Sequence, residues 1–596
     1  MHLACDFECT TVEPYEVYLV TVENVITHEQ FMFENLDTFI TYLNSIEPST
    51  LYFHNGENYD FHFLQWWAYE YKQFKYKINK YHKLEFELND FQLTPTGRIK
   101  KHKGQPVKKL ITHTLVDTTN IFKLSLKQLG TIIGLDKGLG YIETPLIASF
   151  GTDKDGKDFY VEKVADNGDV NDYVVHYKNF RQAIKDNEWD KYAMRDVEIL
   201  AKVIDSYNLI EHVENNRGTI ASIAYHELLT YERYALQVES YDKNKDYLNA
   251  ANQIAKQAYK GGIAWTNPLH ANKLIKGKGF HLDYTSMYPS IYMNPWKYPL
   301  PNNKPVPVHE LNHQELPELY IIRYDYLKAK CKPGRFPLLK ARTDAHKHQN
   351  SDGYYPYFEG PISLTKPEVE YLYANYDVID EGKPKIFYYE KNLTLMNALR
   401  VHGMKWYNIK NNPKSDSEKL YAKMMLNTVY GYLGFYDKSI KTYDYEYKDQ
   451  HIVKVLKGHA LTGITTAEVP AAAFITAYGR VKLANDINRF GIENVVCCDT
   501  DSLFIINYKS LNGINGIGNA LGMLKLEHEF DEIISIKPKT YCIAKDDEVV
   551  AQATAGSNYK FDDIHQFKSG AIFESTEREV GKGGIGIVKV KKKLGV

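Results

Sequence analysis

The feature that most constrains this chain is the stretch "VVCCDTDSLFII", residues 495–506. Its apolar residues are typical of a buried strand, yet Asp499 and Asp501 stand in its middle. Because side chains at i and i+2 of a strand point to the same face, the two carboxylates converge, with Thr500 turned away or placed in a sharp bend. Buried carboxylates without compensation are costly. A turn or capping role would explain one isolated D-x-D equally well.

Acids with apolar neighbours recur elsewhere in the chain. Asp6 and Glu8 are again two residues apart in "LACDFECT", and Asp60 lies in the apolar stretch "FHNGENYDFHF". Asp283 ends an apolar strand in "FHLDYTSMYPSIY", and Asp196 follows Tyr192 by one helical turn. Since acids are seldom buried unless they are paired or metal-bound, the recurrence favours a functional role. The acids form two groups along the chain: Asp6, Glu8, Asp60 and Asp196, then Asp283, Asp499 and Asp501.

Divalent metal ions are the economical partners for these acids. Two like charges that lie close together raise each other's pKa unless a cation compensates them. A hard ion such as Mg²⁺ prefers carboxylate oxygens and leaves room for phosphate oxygens. None of the six cysteines forms a CxxC pair or a zinc-like cluster with histidine. We therefore predict two Mg²⁺ or Mn²⁺ ions in each of two sites, held by all seven acids, for in-line phosphoryl displacement.

Charge and composition leave the partner open. The chain has 596 residues, enough for several domains, and its net charge of −2 does not by itself indicate a polyanionic partner. Its 48 tyrosines fit core packing or base stacking equally. Two local basic clusters could contact phosphates or could be solvated segments: Arg98, Lys100, Lys101, Lys103, Lys108 and Lys109, then Lys589, Lys591, Lys592 and Lys593.

The expected compartment is the cytoplasm, which is the host cytoplasm if a phage encodes the chain. Six cysteines in a chain of this length are not a disulfide framework, so we expect reduced thiols. The first apolar strand begins at residue 3, which leaves no room for a signal peptide. There is no apolar run of 18 residues, so we expect no membrane segment.

Hydrophobic periodicity outlines the organisation of the chain. Residues 2–63 alternate apolar strands with turns, and residues 186–209 have a helical period, which suggests an α/β domain over about residues 1–210. A mainly helical stretch precedes the strand that ends at Asp283. The remaining predictions are a helix over 415–433 with a Ser415/Glu418 capping box, a hairpin-type excursion over 434–464 and a helix over 470–488.

The first group of acids follows the order D-x-E, N-x₃-Y-D and Y-x₃-D. This order resembles the three motifs of the DnaQ-like (RNase H-like) 3′–5′ exonuclease domains. The resemblance implies that the four acids bind two metals, that Tyr192 orients the attacking water and that Lys137 holds the scissile phosphate. It also implies that Tyr52, His54, Asn55 and Phe63 lie at the frayed 3′ end. Cys9 departs from the threonine that relatives usually carry after the glutamate.

The helix between the acids of the second group has a polar face. In "KLYAKMMLNTVYGYLG", Lys423, Asn427 and Tyr430 share one face, which suits a nucleoside triphosphate or an ordinary amphipathic surface helix. With D-x₂-SMYPS and DTDS, this helix resembles that of the family B DNA polymerases. Three further motifs resemble the protein-primed branch of that family, the phage phi-29 type: YxGG at Tyr259, Gly261 and Gly262, Tx₂GR at Thr476, Gly479 and Arg480, and KxY at Lys539 and Tyr541.

The resemblance implies an α/β and α+β multidomain fold, in which an exonuclease domain is joined to a right-hand polymerase with palm, fingers, thumb and two insertions. The implied ranges are 1–210 for the exonuclease, 211–294 for a linker and the start of the palm, 295–400 for an insertion like terminal-protein-binding region 1, 401–433 for the fingers, 434–469 for an insertion like region 2, 470–540 for the palm and 541–596 for the thumb.

The resemblance also implies a role for each polymerase residue. Asp283 and Asp501 would hold the catalytic metals with Asp499 beside them, and Tyr288 would exclude a 2′-hydroxyl. The dNTP would contact Lys410, Lys419, Lys423, Asn427 and Tyr430. Primer or template DNA would contact Tyr259, Gly261, Gly262, Thr476, Arg480, Lys539 and Tyr541, together with His54, Asn55, Phe63 and Lys137 of the exonuclease domain. Thr118 and Thr119 match the primer-binding motif of the family only loosely.

The expected function is a DNA-dependent DNA polymerase with a 3′–5′ exonuclease. Its expected partners are primer-template DNA, dNTPs and a terminal protein primer, and we expect a monomer that replicates a phage genome with strand displacement. Two alternatives stay open. One is a nuclease whose polymerase half only binds DNA, and the other is an RNA-copying polymerase. All three palm acids and Lys423 argue against the first, and the exonuclease motifs argue against the second.

Overall fold

A seven-stranded sheet is the centre of the N-terminal domain. The computed structural model describes residues 1–595 except 79–80, 97, 139–142, 167–170, 216, 242–244, 312–314, 341–353, 355, 436, 449–450, 464–466 and 558. The strands of this region are β1 (His2–Cys9), β2 (Val17–Asn24), β3 (Gln30–Phe33), β4 (Thr50–Phe53), β5 (Lys75–Ile78), β6 (His82–Phe91), β7 (Lys101–His102), β8 (Gln105–Pro106) and β9 (Lys108–Asp117). The sheet order is β3-β2-β1-β4-β9-β6-β5, with β1, β4 and β9 parallel, and β7 pairs with β8 apart from it.

Helices and a smaller sheet complete this domain. The helices are α1 (Leu36–Ser45), α2 (Asp60–Glu70), α3 (Leu126–Ile133), α4 (Phe180–Asp186) and α5 (Trp189–Ser206). The strands β10 (Ile147–Thr152), β11 (Asp158–Asp166) and β12 (Asn171–His176) form an antiparallel sheet. The amphipathic α5 buries one side against β1 and β2, which joins helix and sheet into one core. The predicted α/β organisation of this region is confirmed.

One local prediction is corrected here, because "TLYFHNGENYDFHFL" does not continue as a strand. The strand ends at Phe53, Asn55 adopts the left-handed conformation with φ 71°, and α2 begins at Asp60. A Cβ on Gly56 would lie 2.6 Å from the Phe61 ring and 2.7 Å from Phe53 Cβ, so only glycine permits this tight turn. Asp60 therefore stands at a helix N-terminus, where negative charge is favourable.

The middle of the chain is helical before it enters a second sheet. Its first elements are α6 (Leu209–Glu214), α7 (Ile220–Leu228), α8 (Glu232–Tyr241), α9 (Lys245–Ala258), β13 (Ile263–Thr266), β14 (Ile275–Tyr284) and α10 (Met287–Tyr292). An antiparallel four-stranded sheet follows, built from β15 (Leu319–Cys331), β16 (Tyr357–Thr365), β17 (Tyr376–Asp380) and β18 (Lys385–Tyr389), with α11 (Lys366–Asn375) between its second and third strands.

Two long helices and a hairpin come next. They are α12 (Leu393–Asn411), α13 (Asp416–Leu433), β19 (Asp437–Lys448) and β20 (His451–Gly463), followed by α14 (Val469–Phe490). The predicted helices and the hairpin are confirmed. The predicted capping box is half correct: the Ser415 hydroxyl accepts from the Glu418 amide at 3.2 Å, but the Glu418 carboxylate accepts from the Lys414 amide at 2.6 Å.

The second seven-stranded sheet joins segments that lie far apart in the chain. Its later strands are β21 (Val495–Thr500), β22 (Ser502–Ile506), β23 (Leu524–Lys537), β24 (Thr540–Lys545) and β25 (Glu548–Ala553), in the order β13-β21-β22-β14-β23-β24-β25. A separate hairpin, β26 (Ile572–Gly581) and β27 (Gly584–Lys593), follows. Four predicted domain boundaries therefore cut continuous elements: 210/211 lies in α6, 400/401 in α12, 469/470 in α14 and 540/541 in β24.

The C-terminal hairpin contacts the N-terminal domain through its tip. The Tyr15 amide donates to the Lys582 carbonyl at 2.8 Å, and the Lys582 amide donates to the Glu13 carboxylate at 2.6 Å. A Cβ on Gly584 would lie 2.4 Å from the Phe63 ring, so glycine is needed for this close approach. The first and last structured segments of the chain are thus packed together.

None of the described helices is both long enough and apolar enough to span a lipid bilayer. All six cysteines are buried, and none of them forms a disulfide. Two of the C-terminal lysines that could contact phosphates are paired with acids of the facing strand. Lys589 lies 3.8 Å from Glu574, and Lys592 lies 2.9 Å from Glu577. Such exposed cross-strand pairs contribute little to stability but reduce the local positive field.

Candidate active sites

The first group of acids meets where α5 crosses the central strand of the N-terminal sheet. Asp6 and Glu8 lie on β1, Asp60 begins α2, and Asp196 projects from α5. Asp60 and Asp196 are only 3% and 4% exposed. The four residues that the motifs predicted to converge are therefore carried by three elements that pack on one another.

Burial and mutual repulsion disfavour the charged forms of these acids. Burial raises the pKa of Asp6 well above its usual range, and the charges of Asp196, Asp60 and Glu8 raise it further. Burial raises the pKa of Glu8 to about 7, with Asp196 adding to the effect, and raises that of Asp60 to about 8. Burial also raises the pKa of Asp196, against the opposing charge of Lys137. A cationic partner would stabilise the whole group.

Lys137 and Tyr192 lie beside these acids, as the resemblance implied. Lys137 Nζ is 2.5 Å from Asp196 Oδ2 and lies 5.3 Å from the centre of the Tyr192 ring. The Tyr192 hydroxyl donates to Glu143 Oε1 at 3.2 Å. With its proton directed at Glu143, that hydroxyl presents lone pairs to the site. Sequence reasoning missed Glu143, which belongs to no motif and approaches Tyr192 only in the folded chain.

A second missed acid, Asp117, shapes the loop before α2. Its carboxylate accepts from the backbone amides of Asn55 at 2.9 Å and Glu57 at 3.0 Å. His54 supports the same loop, since its ring nitrogens are 2.9 Å from Thr118 Oγ1 and 2.9 Å from the Leu124 carbonyl. Both His54 nitrogens are thus engaged within the protein. Its predicted contact with DNA stays a prediction.

The aromatic residues predicted to pack a frayed 3′ end are in the core. Phe63 is 1% exposed, beneath the C-terminal hairpin, and Tyr52 is fully buried. The predicted contact of Phe63 with a frayed 3′ end stays a prediction; in the structure, Gly584, more than five hundred residues away along the chain, packs against its ring. Cys9 Sγ lies 2.6 Å from the Tyr59 hydroxyl, so the thiol that replaces the usual threonine contacts the second motif.

The second group of acids is organised by a tight turn. Residues 495–506 form a hairpin of β21 and β22 and not one strand. Thr500 at the turn has φ 59°, and the Asp501 amide donates to the Asp499 carbonyl at 2.6 Å. Of the two geometries left open, the sharp bend is the observed one. A Cβ on Gly262 would lie 2.9 Å from Thr500 Cγ2, which explains a glycine of the YxGG motif.

Strand pairing brings the third acid to this turn. Asp283 faces Ser502 in the register of β14 and β22, and the Tyr284 amide donates to the Asp501 carbonyl at 2.9 Å. Burial raises the pKa of Asp283 to about 7, with repulsion from Asp501 and Glu527 adding to it. Burial and the charge of Asp499 raise the pKa of Asp501 to about 6. Lys539 Nζ, predicted to contact DNA, lies 3.5 Å from Asp499 Oδ1.

Four lysines gather beside Asp283. Burial lowers the pKa of Lys410, and the nearby charges of Lys423, Lys419 and Lys525 lower it further, while Asp283 opposes them. Lys410 Nζ also donates to Ser286 Oγ at 2.8 Å. Three of these lysines were predicted from the sequence. Lys525 was missed, because it faces Asp283 only through the pairing of β14 with β23. Such a cluster suits a highly charged triphosphate.

An aromatic pair forms one wall beside these lysines. The rings of Tyr288 and Tyr430 stack with centroids 4.4 Å apart. A Cβ on Gly479 would lie 2.8 Å from the Tyr288 ring, so the glycine of the Tx₂GR motif leaves space for this tyrosine. Asn427 is exposed on α13, the helix that carries Tyr430. The predicted nucleotide-binding residues are thus brought together at one end of the second sheet.

Two residues of the Tx₂GR motif have structural contacts instead of an exposed position. Arg480 is 3% exposed, and its guanidinium donates to Glu368 Oε1 at 2.6 Å and to the Lys260 carbonyl at 2.5 Å. The Thr476 hydroxyl donates within α14, to the carbonyls of Ala472 and Ala473. Both side chains are thus engaged within the protein, although Arg480 also lines a cavity with Tyr259 and Gly261, and their predicted DNA contacts stay predictions. Glu368, which lies on α11, is the partner that no sequence motif indicated.

The other predicted DNA-binding residues remain accessible or half-buried. Tyr259, Gly261 and Gly262 line a cavity of about 280 Å³ together with Lys340. Tyr541 is half-buried, with its ring centroid 4.5 Å from that of Phe504.

The Arg480–Glu368 contact leads to a stability prediction. Although burial alone would raise it, Lys260 and Arg480 hold the pKa of Glu368 at about 2. Glu368→Ala would leave a buried guanidinium unpaired, which costs about 3–5 kcal/mol. We expect a large fall in the free energy of unfolding, measured by denaturant titration. Glu359→Ala, which removes an exposed acid from the neighbouring strand, should leave the free energy of unfolding nearly unchanged. Equal losses in the two variants would contradict the prediction.

Both acid groups have the chemistry of a hard-metal site. Asp60 Oδ1 and Asp196 Oδ1 are buried and have no hydrogen-bond partner in the described part of the chain. Oxygen donors of this kind, with raised pKa values, fit a divalent cation. Among the described residues, however, no three histidine, cysteine, aspartate or glutamate side chains are already gathered as a ready-made metal site. The number of ions in each site therefore stays a prediction.

Comparisons with known proteins cover most of the chain. The model of the family described as "DNA polymerase type B, organellar and viral" matches residues 44–515. A protein of Podospora anserina named "Probable DNA polymerase" is 24% identical over 440 residues, which are 64% of this chain and 34% of that protein. The aligned part of the chain thus spans about a third of this curated relative.

The structural similarity extends over the full length. Phi29 DNA polymerase in complex with primer-template DNA and incoming nucleotides has a TM-score of 0.69 and 19% identity, covering 100% of this chain and 99% of that one. An orthorhombic crystal form of phi29 DNA polymerase gives a TM-score of 0.71 at 18% identity with the same coverage. The predicted fold, an exonuclease domain joined to a palm, fingers and thumb, is confirmed.

Proposed function

Because the chain belongs to the organellar and viral type B DNA polymerases, we propose that it is a DNA-directed DNA polymerase with a 3′–5′ proofreading exonuclease. The observation that carries the proposal is the presence of two separate carboxylate groups, each built around strands of its own sheet and each with at least one lysine beside it. Primer-template DNA and nucleotides, which the phi29 structure contains, are the proposed substrates.

Divalent ions complete both proposed sites. Mg²⁺ or Mn²⁺, two per site, would be held by Asp283, Asp499 and Asp501 at one, and by Asp6, Glu8, Asp60 and Asp196 at the other. When bound, they would supply Lewis-acid stabilisation of the charge that develops on the phosphoryl oxygens. The chain itself supplies positioning and charge, which account for most of the barrier reduction in phosphoryl transfer.

In the polymerase site, the residues around Asp283 bind and orient the dNTP. Lys410, Lys419, Lys423 and Lys525 would bind the triphosphate, which relieves their mutual repulsion. Tyr288 would lie beneath the sugar, where its ring, stacked on Tyr430, leaves no space for a 2′-hydroxyl. We therefore propose that deoxynucleotides are selected by shape.

In the exonuclease site, the tyrosine and the lysine position the reactants. The Tyr192 hydroxyl, oriented by Glu143, would accept a hydrogen bond from the attacking water and direct it at the terminal phosphodiester. Lys137 would bind the scissile phosphate from its position beside Asp196. Glu143 thus acts as a positioning residue, through Tyr192.

Thermal stability should depend on pH and divalent ions together. Glu8, Asp60 and Asp283 have folded-state pKa values of about 7, 8 and 7. These exceed the unfolded values, so the folded chain binds more protons and loses stability as pH rises from about 4 to 8. Mg²⁺ supports the ionised forms. We expect it to raise the melting temperature more at pH 8 than at pH 5.5, relative to EDTA at matched ionic strength. An equal shift at both pH values would contradict the assignment.

Protein priming and strand displacement are finer parts of the proposal. The four-stranded sheet within residues 319–389 and the hairpin over 437–463 are set beside the polymerase elements, and the fold is shared with phi29 DNA polymerase over its length. We propose that they receive a terminal protein and enclose DNA around a monomeric enzyme that replicates a phage genome. Incubation with dATP and a candidate terminal protein should yield a covalent protein–nucleotide adduct. No adduct alongside normal primer extension would refute protein priming alone.

The template distinguishes this proposal from its alternatives. We expect extension of a DNA primer on a DNA template, and degradation of a single-stranded 3′ end. Degradation without extension would identify a nuclease that only binds DNA. Preferential copying of an RNA template would identify the other alternative. A reducing cytoplasm is the proposed compartment, because six cysteines that form no disulfide persist as thiols there.

A further inference from the structure

A basic arm projects from the N-terminal domain and has no part in either proposed active site. We define the basic arm as residues 91–96 and 98–109, which connect and extend β6 and β9. From residue 91 to residue 116 the sequence contains no Asp or Glu, whereas the whole chain has 75 acids and 73 bases. The six cations of the arm are Arg98, Lys100, Lys101, Lys103, Lys108 and Lys109.

The backbone of the basic arm is held by its own hydrogen bonds. The Gln92 amide donates to the Val107 carbonyl at 2.8 Å, and the Val107 amide donates to the Lys100 carbonyl at 2.9 Å. The Thr94 amide donates to the Arg98 carbonyl at 2.7 Å. β7 and β8 pair at its end. The cations are therefore presented on an ordered ribbon, which lowers the entropic cost of binding.

Ion pairing divides the arm into a neutralised base and a free tip. At the base, Lys108 lies 3.5 Å from Glu87, and Lys109 pairs with Asp90. The tip cations are exposed, and no carboxylate of the described residues lies within ion-pair distance of them: Arg98, Lys100, Lys101 and Lys103. Their mutual repulsion is relieved by a polyanion, and not by a single anion that one lysine could bind.

The arm is remote from the exonuclease carboxylates. β9 runs from Lys108 to Asp117, a length of about 30 Å at about 3.3 Å per residue. The loop shaped by Asp117, next to Asp60, lies at the far end of that strand. A ligand on the tip therefore does not touch the reacting phosphate, and a polymer is needed to occupy both places.

The chemistry of the tip matches a nucleic acid backbone. Leu93 and Ile99 pair across the ribbon and are 58% and 47% exposed. Apolar groups among ammonium groups can contact sugars and bases while the cations bind phosphates. Resting on the proposed function, we propose that the basic arm is a second DNA-binding site, which holds the phosphodiester backbone of DNA outside the active sites.

Salt-dependent binding tests the proposal with a matched control. The arm variant is R98Q/K100Q/K101Q/K103Q. The control, K154Q/K157Q/K178Q/K185Q, removes the same charge from exposed lysines of the same domain. Dissociation constants for a 30-base-pair duplex and a 30-nucleotide single strand are measured by fluorescence anisotropy in EDTA over a salt series. For the arm variant on duplex, the slope of log K against log salt should fall by about 0.9 per lost phosphate contact.

The possible outcomes show which form of DNA the arm binds, duplex or single strand, and which results would overturn the proposal. A loss confined to duplex or to single strand identifies which one the arm holds. A duplex of about 8 base pairs, too short to span about 30 Å at about 3.4 Å per pair, cannot occupy the tip and an active site together, so the arm variant should lose less affinity for it than for the 30-base-pair duplex. Unchanged slopes, an equal loss in the control, or equally effective competition by polyglutamate would overturn the proposal. Wild-type protein that binds DNA but neither extends nor degrades it would refute the proposed function instead.

Discussion

Replacing Asp499 and Asp501 together by alanine should abolish primer extension, with a loss of more than about a thousandfold, while degradation of single-stranded DNA continues. We expect a loss of extension rate of this size because two charges at the reacting phosphate are removed, and even one stabilising group can contribute about 10²–10³ in rate. The measurement is extension of a labelled primer on a DNA template. Degradation by the same preparation reports that the N-terminal domain is intact.

The structure offers a matched control for this double variant. Asp546 and Asp547 form the exposed turn between β24 and β25 of the same sheet. Asp546→Asn with Asp547→Asn removes the same formal charge away from the site, and extension should stay within about twofold of wild type. Persistent synthesis by the Asp499/Asp501 variant would remove these carboxylates from the catalytic assignment.

The reciprocal variant, Asp6→Ala with Glu8→Ala, should eliminate exonuclease activity and spare synthesis. We expect degradation of a frayed primer to fall by more than about a thousandfold, for the same electrostatic reason. Extension rates should remain within about twofold. Degradation is measured as the release of labelled nucleotide from a mismatched primer. Extension is measured as nucleotide incorporation on a matched primer.

This variant also tests the electrostatics of the site. Burial raises the pKa values of Asp6 and Glu8, so both charges are unfavourable in the folded chain. Their removal should leave the melting temperature at pH 8 equal to or above that of wild type. A fall in melting temperature would mean that the acids hold the domain together. Continued degradation would mean that the nuclease site lies elsewhere.

Local sequence patterns predicted the elements and the identity of most site residues. Short segments carry these patterns: the helical period of α13, the N-cap at Ser415, and the acids that stand among apolar residues. The structure contains each of them. The bend at Thr500 was one of two geometries that a period of two allows. Patterns of this kind depend on residues that are neighbours along the chain, so they can be predicted without knowledge of the tertiary structure.

The contacts that the sequence did not predict join segments that are distant along the chain. Arg480 and Phe63 were expected to face DNA, but Glu368 and Gly584 lie against them in the folded chain. Lys525 was missed because only the register of two strands places it opposite Asp283. No motif contains this information. Whether a basic or aromatic residue faces DNA or the core depends on which remote segment covers it.

The docking of the C-terminal hairpin on the N-terminal domain limits how the protein can be dissected. A fragment that ends near residue 210 would lack Gly584, which packs against Phe63, and would uncover a ring that is now 1% accessible to water. Glu13 and the Tyr15 amide would lose their partners as well. An excised N-terminal domain should therefore aggregate or unfold more easily than the intact chain. Separating the two proposed activities requires point substitutions and not truncation.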